Sequence, residues 1–172
     1  MLYHILFPLS DQIGWLNVFQ YITFRAMLAF LLSFVIVLTL QPIYINRLKR
    51  RGVGGQPIRD DGPKDHEVKR GTPTMGGIVM VFAIAISVLL LANLANPFVW
   101  ATLFVLIGLA VLGFVDDWRK ITQQNTKGVS GKAKLLWQSV IAGLAAILLM
   151  SFGFSTELMF PFFKNASIDL AL

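Results

Sequence analysis

Charges crowd into short stretches of this chain and leave three long uncharged runs between them. Between Arg25 and Arg47 lie 21 uncharged residues, AMLAFLLSFVIVLTLQPIYIN. At about 1.5 Å per residue they form one helix long enough to cross a bilayer. Gly71 to Val115 is a second run of 45 residues, too long for one helix and interrupted by NLANP at 93–97. Asn and Pro there signal a turn, which predicts two helices. Leu135 to Thr156 adds a fourth run-length helix of 22 residues. The pattern predicts an all-α, polytopic membrane domain covering 1–172, with four spans at about 26–46, 75–92, 98–115 and 135–156. Residues 1–24 mix polar positions with Tyr3, Trp15, Tyr21 and several Phe, which suits an interfacial segment. This stretch lacks the basic start and small-residue cleavage site of a signal peptide. After Glu157 the chain turns apolar again, and its final DLAL reads as the start of another hydrophobic segment.

Composition agrees. Hydrophobic residues make up 56% and charged residues only 14%, against about a quarter charged in soluble domains. No cysteine is present, which removes disulfides, a thiolate nucleophile and cysteine metal sites. The net charge is +6, but its distribution argues against nucleic acid. Arg47, Lys49, Arg50, Arg51, Arg59, Lys64, Lys69 and Arg70 share one loop, and Arg119, Lys120, Lys127, Lys132 and Lys134 share another. Both loops fall on one side of a four-helix arrangement. The positive-inside rule makes that side cytoplasmic and turns both termini and NLANP outward. Anionic lipid or a phosphorylated substrate accounts for the remaining basic excess.

Three motifs carry chemistry. GFVDDWRK, 113–120, ends an apolar run with Asp116 and Asp117. Read as a helix C-terminus, this is an unfavourable place for acids, by about 0.3–1 kcal/mol per charge, offset in part by Arg119 and Lys120. The plain reading is a solvated helix end with local ion pairs. The functional reading is a carboxylate pair that holds Mg²⁺ loosely, or that divides proton transfer and charge between its members. DDGPKDHEVKRGTPTMGG, 60–77, places Asp60, Asp61, His66 and Lys69 in one loop and enters a helix through Thr72, Pro73 and Thr74. Thr72 or Thr74 is a candidate cap, and Gly76 and Gly77 permit close approach of a backbone or ligand. That arrangement suits either a capped, tightly packed helix or an anion site built on Lys69 and the threonines. His66 reads as a solvated loop residue. TKGVSGKAKLLWQ, 126–138, adds lysines that are most simply positive-inside charges, and Trp137 fits an interfacial aromatic belt.

DDGPKDHEVKRGTPTMGG, together with GFVDDWRK followed by TKG, resembles the phospho-N-acetylmuramoyl-pentapeptide transferases. These belong to the polyprenyl-phosphate N-acetylhexosamine-1-phosphate transferases. The resemblance runs through essentially the whole chain. It implies an inner-membrane, multi-pass, Mg²⁺-dependent enzyme of peptidoglycan synthesis. Such an enzyme moves phospho-MurNAc-pentapeptide from UDP-MurNAc-pentapeptide to undecaprenyl phosphate, giving lipid I and UMP. By motif it implies catalytic roles for Asp116 and Asp117, nucleotide contacts for Lys69 and Thr74, and basic substrate contacts for Lys120 and for Lys134 or Lys132. It also implies a homodimer. Members of the family are about twice this long. Their second half carries an N-x-x-N-x-x-D-G-L-D-G-L motif, an F-M-G-D aspartate that binds Mg²⁺ and a histidine-rich loop, none of which occurs here. The chain resembles the N-terminal half.

Three function classes follow. The first is a glycosyl-phosphate transferase of which this is the N-terminal part, inactive alone. The second is a non-catalytic membrane fragment that retains lipid or nucleotide contacts. The third, a transporter half, fits worst, because ionisable residues cluster at one face and not at the bilayer midplane.

Overall fold

The computed structural model describes residues 1–50, 75–123, 128–154, 157–159 and 167–169. Four apolar helices dominate: α2 (Ile22–Arg50), α3 (Gly77–Leu91), α4 (Pro97–Thr122) and α5 (Gly131–Ser151), preceded by a short α1 (Leu2–Leu6). Three of them, α2, α4 and α5, are long and apolar enough to cross a membrane, while α3 has 15 residues. Large apolar side chains point outward along them, including Phe30, Phe34 and Leu38 on α2 and Leu136, Val140 and Ile147 on α5. In water such faces would drive aggregation; in a bilayer they meet lipid or further helices. This is the all-helical, polytopic membrane architecture that the hydrophobic pattern predicts. Glu157–Met159 and Ser167–Asp169 add a small antiparallel ribbon, β1 and β2, with Leu158 opposite Ile168. Asp169, the first residue of the terminal DLAL, belongs to this ribbon, and 170–172 lie outside the described residues.

The helix ends follow hydrogen-bonding chemistry more than charge. Asn96 accepts from the Phe98 N–H at 3.0 Å and Pro97 occupies the first turn, so α4 starts where NLANP places a break. Ser130 accepts from the Ala133 N–H at 3.4 Å and starts α5 four residues before Leu135. At its other end, α4 runs through Asp116 and Asp117 to Thr122. The acidic pair is therefore not at a helix C-terminus, and the dipole penalty expected for that position does not arise there. The entry to α3 also differs. Met75 adopts a left-handed backbone with φ of 79°, and the cap position falls on Gly76 with no side-chain cap. Thr72 and Thr74 lie outside the described residues.

Packing is strongest between α2 and α3. The inward face of α3 is Val79, Ala83, Ser87 and Leu91, one residue per turn. Ala83 and Ser87 are almost wholly buried, and such small side chains let helices approach closely in an apolar medium. At the end of this seam Leu91 joins Leu16 and Phe19 of the N-terminal segment, ringed by Phe24 and Leu28 of α2. The Arg25 guanidinium lies over the Tyr3 ring at 4.1 Å, and the Met1 ammonium donates to Leu89 O at 2.8 Å. The first twenty residues thus fold onto the ends of α2 and α3, while Trp15 and Tyr21 stay exposed.

Candidate functional site

Past Val115, where the apolar run of α4 ends, Asp116 is buried although it is charged. Its environment explains this. One turn along α4, Lys120 Nζ lies 2.7 Å from Asp116 Oδ2. From α5, Lys134 Nζ lies 2.8 Å from Oδ1. From the segment leading into α5, the Val129 N–H donates to the same Oδ1 at 2.8 Å. A carboxylate can be buried only when paired and hydrogen-bonded in this way. Burial pushes the Asp116 carboxyl pKa up; the hydrogen bonds from Lys120, Lys134 and Val129 and the charge of Lys120 outweigh it and hold the group well below the usual carboxylate range.

The approach of the backbone to Asp116 depends on Gly128. That residue has φ of 55°, a conformation glycine adopts without penalty. A Cβ there would collide with Asp116 Oδ1 and lie 2.8 Å from Lys120 Cε. The TKG triplet therefore supplies the glycine that lets Val129 reach the carboxylate. Sequence reasoning missed this role; the available signal was a glycine one residue before the contact.

Asp117 faces elsewhere. Successive helix residues diverge by about 100°, and Asp117 lines a groove of about 520 Å³ between α3 and α4. The other lining is apolar, with Met75 and Phe82 from the α3 side and Val111 and Phe114 from α4. Close approach occurs at Gly76, where a Cβ would lie 2.6 Å from Gln41 Nε2 of α2, while Gly77 faces open space.

The candidate residues therefore separate. Asp116, Lys120 and Lys134 form one cluster. Asp117 meets the apolar groove. Lys132 is exposed on α5. Lys69, Thr74 and His66 lie outside the described residues. Both Asp116 oxygens are engaged by protein donors, and no group of three His, Asp or Glu side chains gathers among the described residues. What the arrangement offers chemically is two ammonium groups held by one carboxylate, next to a second carboxylate at the mouth of a greasy groove.

Comparison with known proteins points the same way as the motifs. The signature described as phospho-N-acetylmuramoyl-pentapeptide-transferase signature 1 matches residues 69–81. A phospho-N-acetylmuramoyl-pentapeptide-transferase of Maridesulfovibrio salexigens is 48% identical over 99% of this chain and 47% of its own length. The enzyme of that name from Syntrophus aciditrophicus is 45% identical over the same shares. The one from Pelobacter propionicus is 42% identical over 99% of this chain and 48% of its own length. The chain is similar to these transferases from end to end, as its motifs indicate, and spans about half the length of the curated relatives it matches.

Proposed function

We propose that this chain forms the acidic-pair half of a membrane transferase that moves phospho-MurNAc-pentapeptide from its UDP carrier to undecaprenyl phosphate. The observation that carries the reading is the end-to-end similarity to transferases of that name. In the reaction, a phosphate oxygen of the lipid attacks the sugar-bearing phosphorus of the diphosphate. The bond to the uridine-bearing phosphate breaks, UMP leaves and lipid I remains. Both substrates are anions, so the reaction needs fixed cations to offset their repulsion. Lys120 and Lys134 are suited to that task, with Asp116 as the counter-ion that keeps both ammonium groups together until a phosphate competes for them. Asp117, which lines the apolar groove, is the member of the pair we assign to the lipid phosphate. Lys69 and Thr74 are proposed nucleotide contacts. Mg²⁺ dependence belongs to the same proposal, and no step is routed through the ion. We place the basic loops on the cytoplasmic side of the bacterial inner membrane.

A second reading, a non-catalytic fragment that retains lipid or nucleotide contacts, is favoured by one fact: every Asp116 oxygen already has protein partners. The two readings separate in a reconstituted assay. The chain is combined with the complementary half of a relative, given both substrates with and without Mg²⁺, and followed by UMP release. The transferase reading expects turnover that falls about 10²–10⁴-fold in Asp117→Asn, with unchanged membrane insertion. Near-parental turnover in that variant would return Asp117 to a structural role.

A further inference from the structure

Lys120 belongs to the same helix as Asp116 and needs no tertiary contact to reach it. Lys134 comes from α5, so its place depends on how α5 lies along α4. Two contacts deeper in that seam determine the register. Trp137, one turn beyond Lys134, donates its indole Nε1–H to the Gly108 carbonyl of α4 at 3.2 Å. Ile141, one further turn along, is buried, and its Cδ1 would lie 2.8 Å from a Cβ on Gly108. Both contacts converge on one glycine. Its bare backbone lets the Ile141 side chain seat, and its carbonyl stays within reach of the indole.

The spacing connects this seam to the cluster. Gly108 precedes Asp116 by eight residues, about 12 Å of helix, and Ile141, which meets Gly108, follows Lys134 by seven, about 10.5 Å. A slip of α5 by one residue would move Lys134 about 1.5 Å along the axis and swing it about 100° around the helix. An indole in an interfacial belt donates to water or lipid headgroups; this one is committed to a backbone carbonyl of another helix.

We propose that Trp137 is a positioning residue of the Asp116 cluster: its indole on the Gly108 carbonyl, with Ile141 seated on the bare Gly108 backbone, sets the α5 register that delivers Lys134 to Asp116. The inference rests on the geometry of the seam and not on the transferase reading, so its test needs no turnover.

The test is amine acylation of the chain in lipid nanodiscs, read by mass spectrometry as the labelling rate of Lys134 relative to exposed Lys132, two residues away. In the parent, Lys134 labels more slowly because Asp116 holds it. Trp137→Phe keeps an aromatic ring and removes the donor. It is expected to raise the ratio about three- to tenfold, the population change that one hydrogen bond's net contribution produces. Trp100→Phe removes a comparable indole bond, to Leu94 O at 2.9 Å, at the far end of α4; it leaves the ratio unchanged. Gly108→Ala also raises the ratio, and adding Ile141→Val, which removes the crowding Cδ1, lowers it again. An unchanged ratio in Trp137→Phe, an equal rise in Trp100→Phe, or no recovery in the double variant overturns the proposal.

Discussion

On α3, the face that packs on α2 buries Val79, Ala83, Ser87 and Leu91, with no ion pair along it among the described residues. Between α4 and α5, polar contacts join the apolar ones such as Ile141 on Gly108: Lys134 on Asp116, Trp137 on the Gly108 carbonyl, and Val129 folded back onto the carboxylate. The first seam derives its stability from close approach of small side chains, spread over four turns. The second adds a polar anchor centred on one buried charge. Dispersion is shared among many individually small contacts, whereas a buried carboxylate and its partners stand or fall together. The two seams should therefore fail differently, and the chemistry proposed for this chain sits on the brittle one.

The largest separation is expected from Asp116→Asn. The substitution conserves size, removes the charge and leaves two ammonium groups and the Val129 N–H around a neutral amide. Charged hydrogen bonds contribute about 1.5–3 kcal/mol each. Lys134 is partly solvent-exposed, so its share is discounted. A loss of about 2–3 kcal/mol is expected, visible as an earlier detergent-induced unfolding transition, with spin-label distances across α2/α3 retained. Equal loosening of both seams would show that the molecule unfolds as one unit and that the contrast is false.

Gly128→Ala attacks the same anchor from the loop side. A left-handed backbone costs a non-glycine residue about 1–2 kcal/mol, and the added methyl meets the Asp116 carboxylate. A loss of about 2 kcal/mol is expected, again confined to α4/α5. Gly77→Ala, facing open space, should cost little and serves as the matched control. Similar losses in the two variants would remove the close approach as the cause.

Acid gives a graded version of the same experiment. The Asp116 carboxyl has a folded pKa below its unfolded value of about 3.9. Its contribution is therefore fully present above about pH 4 and is lost as pH falls through the lower folded value. The α4/α5 distance should hold from neutral pH to about pH 4 and open only below it, while α2/α3 stays closed throughout. Opening between pH 7 and 5 would assign the anchor to some other group.

Much of the architecture could be read from charge-free runs, because membrane helices exclude charge in a way soluble helices do not. The ends could not. Asp116, Asp117 and Lys120 lie inside α4, and Lys132 and Lys134 lie inside α5. Charge marks where lipid would stop, while a helix stops where its backbone finds other partners, as at Ser130. The acidic pair was visible as a pair, but the division of its members was not. Adjacent aspartates look alike in a sequence and point about 100° apart on a helix. Lys120 was within reach of pattern reasoning as the i+4 partner of Asp116. Lys134, Gly128 and Trp137 required the tertiary arrangement, because lysines in a basic loop and tryptophans near a helix end have ready generic explanations.

The smallest expected effect sharpens the comparison from the other side. Ser87 is the one polar side chain on the inward face of α3, 1% exposed, and its Oγ has no hydrogen-bond partner among the described residues. On a separated helix in lipid, a serine hydroxyl can bond the carbonyl one turn back. In the packed seam that bond is absent, so association here costs a polar interaction. Removing the hydroxyl leaves a methyl of nearly the same shape and no unsatisfied donor. Ser87→Ala is therefore expected to strengthen α2/α3 by about 0.5–1 kcal/mol, the scale of interhelical hydroxyl bonds in membranes. It should leave the Lys134 labelling ratio unchanged. Förster transfer between dyes on α2 and α3, followed through a detergent titration, reads the shift directly. A weaker seam in Ser87→Ala would mean that the hydroxyl supports α2 after all, and that both seams depend on polar fastening.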